Sequence, residues 1–235
     1  MKIVMIHGQA HQGITCRMGR ILAGNLAKDA DIQEYFLPRD LNHFCLGCYA
    51  CIEDETKCPY WSEKQKILSS MEKADLFIFT TPNYCLAPSG AMKSFLDLLF
   101  DLWMVHRPRE WMFKKRAVVL SASAGASCKK VLRTVKDSLL YWGVPCVKTY
   151  GLPVQAASWE QIQPGKKAKI ESRLTQMALK LSVAAPPKAG FKTRFLFSVM
   201  RMTHKKGWDS SPVERTYWEK HGWLGKARPW KNREV

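Results

Sequence analysis

Short apolar runs and stretches of helical spacing take turns along the first 180 residues. Residues 3–6 (Ile-Val-Met-Ile) form a continuous apolar run that stops just before Gly8, and from 15 to 28 Met18, Ile21, Leu22 and Leu26 recur at the spacing of one helix face. The same alternation predicts strands over 32–37, 76–80, 117–121 and 146–150. It predicts helices over 64–73, 89–103, 129–142 and 160–181, the last with a delayed start because of Pro164. The strands are apolar throughout rather than at every second residue, so both faces of the sheet are expected to be covered. The expected fold class is α/β, a doubly wound parallel sheet with helices on both faces.

The pattern changes at Ala184. Residues 186–190 (Pro-Pro-Lys-Ala-Gly) read as a break, 191–202 as a helix with Phe191, Phe195, Leu196, Val199 and Met202 near one face, and the remainder as a tail holding Trp208, Trp218, Trp223 and Trp230. The organisation expected is a domain over 1–183 followed by a basic, amphipathic, Trp-rich helical extension over 184–235. Of the formal charge of +17, eight units fall in 183–235, where 12 Lys/Arg face 4 Asp/Glu. Such a field favours anionic partners without choosing among nucleotide cofactors, acidic proteins, phospholipid and nucleic acid. No recognised nucleic-acid module accompanies it, so nucleic acid is not an expected partner. The basic helix could lie on an anionic membrane; the preferred expectation is that it covers an apolar face of the domain or of a second subunit. The N-terminal apolar run is too short for a secretory leader, and no stretch reaches the roughly 20 apolar residues of a membrane span. A cytoplasmic protein with reduced thiols is expected, which makes disulfides a poor account of its eight cysteines.

In open α/β sheets ligands sit beyond the carboxyl ends of the strands, so the loops there carry the functional signal. The first, Gly8-Gln9-Ala10-His11-Gln12-Gly13-Ile14-Thr15, leads from a strand into a helix. It is neither G-x-G-x-x-G nor a Walker loop, and it suits a monophosphate held by backbone amides, the Thr15 hydroxyl and His11. The second, Thr81-Pro82-Asn83-Tyr84-Cys85, offers backbone groups and a ring to a flat ligand. The third, Ser123-Ala124-Gly125-Ala126, is small enough for close backbone approach. One phosphate loop and two loops suited to a planar polar ring make a case for FMN.

Those loops, together with Cys45-x-x-Cys48-x-x-Cys51, Cys58-Pro59, Ser89-Gly90-Ala91-Met92-Lys93, His106-Arg107-Pro108 and Trp142-Gly143-Val144, give a chain that resembles the flavodoxin-like NADPH-dependent FMN reductases over about residues 1–155. In particular it resembles their cysteine-bearing branch, related to the iron–sulfur flavoproteins. The resemblance implies a flavodoxin-like fold with a five-stranded parallel sheet, FMN at the strand ends, NAD(P)H as electron donor, and a homodimer or higher homo-oligomer. It places Gln9, His11, Ile14 and Thr15 at the phosphate, Pro82, Asn83 and Tyr84 beside the isoalloxazine, and Ser123, Ala124, Gly125 and Ala126 at its pyrimidine edge; Gly13 and Cys85, next to these in the loops, are further cofactor-binding candidates. Relatives carry Ser-Pro-Arg where this chain has Gln9-Ala10-His11, and a hydroxyl where it has Ile14. FMN is therefore expected to bind more weakly, or through Lys and Arg from elsewhere. Cys85 is alternatively a small buried hydrophobe, and Cys16, Cys128 and Cys146 read as core or helix residues.

Cys45, Cys48, Cys51 and Cys58 form a C-x2-C-x2-C-x6-C-P run, which matches ferredoxin-type spacing for a [4Fe–4S] cluster. Zinc and a metal-free flap stay open, and the metal-free flap is preferred because Glu53, Asp54 and Glu55 would add negative charge beside an anionic cluster. Arg107 could meet a cofactor phosphate or a partner subunit, or serve a structural turn. The expected function is an FMN-dependent NAD(P)H oxidoreductase serving a small-molecule acceptor: a quinone, nitro compound, flavin or metal centre. The alternatives are an iron–sulfur flavoprotein or a flavodoxin-type electron carrier for a protein partner. No catalytic side chain is singled out.

Overall fold

The computed structural model describes residues 1–26, 29–185 and 187–231. In chain order the elements are β1 (Lys2–His7), α1 (Ile14–Gly24), β2 (Asp31–Phe36), α2 (Ala50–Glu53), α3 (Trp61–Lys73), β3 (Leu76–Tyr84), β4 (Ala87–Pro88), α4 (Gly90–Leu98), β5 (Arg116–Ser123), α5 (Lys129–Tyr141), β6 (Cys146–Pro153), α6 (Pro164–Ser182), α7 (Phe191–Lys205) and α8 (Pro212–Lys220). The strand order is β2-β1-β3-β5-β6, all parallel, with β4 folded back antiparallel on the end of β3. The expected doubly wound five-stranded sheet is present, with a two-residue sixth strand added.

Successive residues of a strand point to opposite faces, and here each face meets its own core. Val4, Ile6, Phe77, Phe79, Ala117 and Val119 pack under α3, α4 and α5. Their alternates Ile3, Met5, Leu76, Ile78, Val118 and Leu120 pack under α1 and α6. Two covered faces explain why the central strands contain no polar alternation.

Several boundaries differ from the sequence expectation. The first helix ends at Gly24, and positions 27 and 28 of the expected span lie outside the described residues. The fourth helix stops at Leu98 and gives way to a 3-10 turn, Phe100–Leu102. That turn lets Met104 N–H reach the Tyr141 carbonyl (2.7 Å) and buries Asp101 against Lys64 Nζ (3.2 Å).

Beyond Ala185, α7 and α8 form a third cluster in which Phe197, Trp218 and Trp223 are buried with Met104 and Phe113. The tryptophan-rich tail thus finds its apolar surface on the segment after α4. Of the expected packing face of α7, Leu196 packs against this cluster. Thr193, Phe197 and His204 turn inward, while Phe191, Phe195 and Met202 remain exposed.

Candidate active site

Four loops meet at the carboxyl end of the sheet, and hydrogen bonds tie each to the next. Gly8 N–H donates to the Thr80 carbonyl (2.7 Å), and the Ser89 hydroxyl donates to the Gly8 carbonyl. Ser89 also caps α4, accepting from Met92 N–H at 3.2 Å, while its own N–H donates to Thr81 Oγ1 at 3.0 Å. Asn83 Nδ2 donates to the Ser127 carbonyl (3.1 Å), joining the second loop to the third. Val154 and Gln155 N–H donate to the carbonyls of Ser123 and Ala124 (2.8 and 2.9 Å), adding the loop after β6.

The four loops enclose a hollow of about 250 Å³. Gln9, His11, Ile14, Thr15, Pro82, Asn83, Tyr84, Ser123 and Ala124 line it, together with Ala122, Val154, Ala156 and Ala157. Gly13 borders an adjoining hollow of about 490 Å³, which shares His11 and Ala157 and also holds Arg17 and Arg20. Cys85, Gly125 and Ala126 lie outside both linings. Cys85 is exposed, not buried: with Leu86 it forms the two-residue turn between β3 and β4, both at positive φ (51° and 62°). The fourth loop was missed because the apolar run of β6 fades at Tyr150. The rule about strand ends would have found it. Arg17 stands one residue beyond Cys16 on the first turn of α1, so spacing on that helix is the signal that identifies it.

The hollow matches a phosphate-bearing planar guest in its unsatisfied groups. Thr15 Oγ1 and Asn83 Oδ1 are buried with no hydrogen-bond partner. Gly13, at the N-cap of α1, offers no capping side chain, and the first turn carries no acidic residue. Its amides and the positive end of the helix are therefore open to an anion. A Cβ at Gly13 would stand 2.8 Å from His11 Nε2 and 2.9 Å from Gln9 Nε2, so a larger residue would displace the side chains that close the cradle.

Beneath this floor His7 is fully buried, its Nδ1 2.8 Å from Thr80 Oγ1 and its Nε2 3.4 Å from Glu34. Burial lowers its pKa from the ordinary 6.5 to about 4, against the pull of Glu34. The folded state keeps this imidazole neutral while an unfolded chain protonates it, so stability is full above pH 6.5 and falls as pH drops toward 4. At about 1.4 kcal/mol per pH unit the loss reaches roughly 3 kcal/mol. Urea unfolding at pH 7.5 and 5 is expected to show about 2 kcal/mol of that loss, and His7→Gln is expected to remove most of the difference.

The cysteine loop lies on the α3–α4 side. Cys45, Cys48, Cys51 and Cys58 all line one hollow of about 20 Å³ closed by Leu98 and Phe100. Burial, with Asp101 adding to it, pushes the Cys51 thiol up to about 11. Among the described residues, the group whose potential ligand atoms lie within 4.8 Å of one another is His7, Cys16 and Glu34, not the loop thiols. A single zinc with sulfur ligands at about 2.3 Å needs them closer than that. The His7 group has its carboxylate already engaged, since Arg20 Nη2 meets Glu34 Oε2 at 2.8 Å.

The loop is clamped from the other side. Arg107 donates to the Cys51 carbonyl, and Arg109 pairs with Glu55. Arg107 therefore serves the cysteine loop, not a cofactor phosphate. The clamp is braced by the C-terminal helices: His106 Nδ1 meets buried Glu214 at 2.5 Å, Trp218 Nε1 donates to the His106 carbonyl (2.9 Å), and Tyr217 Oη donates to the Pro108 carbonyl (2.7 Å). Two of the three loop acids are thereby accounted for. Glu55 is paired, and Asp54 accepts from Thr56 N–H and Oγ1 (2.9 and 2.7 Å).

A family model described as NADPH-dependent FMN reductase matches residues 1–157. Comparison with curated proteins gives no match. Among solved structures, an FMN-dependent NADH-azoreductase from Bacillus anthracis in complex with FMN superposes with a TM-score of 0.61 at 10% identity, covering 77% of this chain and all of that one. An NAD(P)H:quinone oxidoreductase from Methanothermobacter marburgensis gives 0.57 at 12% identity over 79% of this chain and 98% of its own. An apo NADH:FMN oxidoreductase gives 0.52 at 19% identity over 78% and 91%.

Proposed function

Because the chain belongs to the NADPH-dependent FMN reductase family, an FMN-dependent class of NAD(P)H oxidoreductases, we propose that it delivers electrons to flat aromatic acceptors such as quinones, nitro compounds or free flavin. The observation that carries this reading is the hollow lined by four hydrogen-bonded strand-end loops, two of whose residues, Thr15 and Asn83, each have a buried side-chain oxygen with no hydrogen-bond partner. Bound FMN supplies the redox chemistry, accepting hydride from NAD(P)H and releasing electrons to the acceptor. The first-turn amides of α1 and the Thr15 hydroxyl hold the phosphate. Arg17, in the adjoining hollow, supplies positive charge that the loop itself lacks. Pro82 and Tyr84 would hold its ring, and the amide of Asn83 and the backbone of Ser123 and Ala124 would offer polar partners to it. Exposed Tyr84 and Leu86 leave the mouth apolar and open to a second planar molecule.

Steady NAD(P)H oxidation by FMN-loaded protein with a soluble naphthoquinone is the expected result. Flavin reduced only by another protein would instead establish the electron-carrier alternative. Thr15→Val keeps the shape and removes the hydroxyl, and is expected to weaken FMN binding by about 10- to 100-fold in an equilibrium fluorescence titration.

One observation favours a second, compatible reading, that of an iron–sulfur flavoprotein. All four thiols of the loop border one hollow of about 20 Å³, which would have to open around a cluster, and one of the three acids that argued against it, Glu55, is neutralised by Arg109. Cys45, Cys48, Cys51 and Cys58 would be the ligands of a [4Fe–4S] centre. Iron and acid-labile sulfide measured on anaerobically purified protein test it. Sulfide far below stoichiometric would return the loop to a metal-free flap.

A further inference from the structure

Helix α7 carries two apolar stripes where a surface helix needs one. Its inner stripe, Phe197 with Leu196 and Met200, packs into the third cluster beside buried Thr193 and His204, with Phe197 stacked on Trp218 at 4.8 Å. At about 100° per residue, Phe191, Phe195 and Met202 lie within about 40° of one another on the opposite side. There they are 82%, 61% and 51% exposed. Phe191 and Phe195 stack on each other, ring centroids 6.0 Å apart. Trp208, 66% exposed, follows the helix with Lys206 Nζ 4.5 Å from its ring.

The charge around this stripe has one sign. From Phe191 to Lys205 there is no Asp or Glu, and exposed Lys192, Arg194, Lys205 and Lys206 flank the rings. At the amino end of the helix the surface continues into a groove of about 790 Å³ that shares Phe191 and Lys192 with the stripe. Leu132, Leu140 and Val144 give it an apolar floor, and Lys129, Arg133 and Lys136 stand along it with Asp137 as the lone acid.

We propose that the outward face of α7, continued by this groove, docks the protein on an anionic phospholipid surface. Rings set between cations match the boundary between acyl chains and anionic headgroups, where aromatic side chains and Lys/Arg both find partners. Two copies of the chain meeting on this face would bring like charges together, which opposes the stripe as a homodimer contact. Nucleic acid would answer the cations and leave Phe191, Phe195 and Met202 without a partner. Among the described residues no helix is long and apolar enough to cross a membrane, so the contact is peripheral, α7 lying in the plane of the interface.

Full-length protein is to be sedimented with phosphatidylcholine vesicles, with and without phosphatidylglycerol, at about 50 mM and about 500 mM salt. Binding is expected to anionic vesicles at low salt, falling at high salt and absent with phosphatidylcholine alone. Phe191→Ser/Phe195→Ser changes two exposed side chains, so its near-UV circular dichroism should stay as in the parent while its vesicle affinity drops about tenfold or more. Lys192→Glu/Arg194→Glu should lose the anionic preference. The proposal is overturned by no sedimentation with anionic vesicles at low salt, or by binding indifferent to the serine pair. A concentration-dependent dimer abolished by that pair, with no vesicle binding, would assign the face to a second copy. Because vesicle binding is read without flavin or NAD(P)H, its outcome is independent of the proposed reaction.

Discussion

Trp218→Ala is expected to destabilise the protein by about 3–5 kcal/mol and to loosen the cysteine loop, against whose short helix α2 its own helix α8 packs. The indole is fully buried, stacked on Phe197, edge-on to Trp223 (5.3 Å) and beside His204 (4.4 Å). Truncation leaves a cavity as well as removing buried surface, and Trp→Ala costs of this size are usual where neighbours cannot collapse. It also leaves the His106 carbonyl without the Nε1 donor. His106 adjoins Arg107, and Arg107 holds the Cys51 carbonyl. The variant should therefore be cleaved faster by limited proteolysis between Cys45 and Cys58, and those thiols should react faster with a thiol reagent. Trp218→Phe keeps part of the packing, leaves a smaller void than alanine, and loses the donor. If the brace matters, Trp218→Phe should recover much of the stability but not the protection of the loop. Loop reactivity equal to the parent in both variants would show that the C-terminal helices and the cysteine loop are mechanically independent.

The sheet was legible because its strands lie under helices on both sides, so every residue of a run such as 76–80 must be apolar whichever face it takes. Strand ends were less legible where a polar or cyclic residue continues the backbone. β3 runs on to Tyr84 although Pro82 reads as a turn. The proline is tolerated because β1 has already ended beside Thr80, and only β5 pairs with the strand at that level. Helix α8 has little apolar periodicity but a capping signature. Ser211 accepts from Val213 N–H, Pro212 opens the helix, and Glu214 sits three residues after Ser211. Of the site, each of the three loops read from the sequence contributes to one hollow; the fourth follows from the same rule about strand ends once β6 is extended to Pro153. The clamp on the cysteine loop could not be read in advance. His106 and Glu214 are 108 residues apart, and nothing local distinguishes Glu214 from a solvated helical glutamate.

Gly8→Ala is expected to damage the proposed flavin site more than any single contact within it. Gly8 lies where the first two loops cross, and an added Cβ would stand 2.7 Å from Ser89 Oγ and 3.0 Å from both Met92 Cβ and Thr81 Oγ1. All three residues are buried, and Ser89 is held at once by Gly8, Thr81 and the first turn of α4, so none can retreat alone. Overpacking of this kind costs about 1–3 kcal/mol, and separating Ser89 from the Gly8 carbonyl adds about 1–3 for the unpaired buried group. Denaturant unfolding should show the sum, roughly 2–6 kcal/mol, and FMN affinity should fall by about 100-fold or more as the loops part. Ser89→Ala removes the nearest colliding atom and a helix cap, and by itself should be destabilising. In the double variant Gly8→Ala/Ser89→Ala, the second change should cost less than in the parent, because the clash it relieves exists only when Gly8 is replaced. A double-mutant cycle measures that coupling directly. Strict additivity would mean that the crossing yields elsewhere, and that the geometry of the hollow does not depend on the absence of a side chain at Gly8.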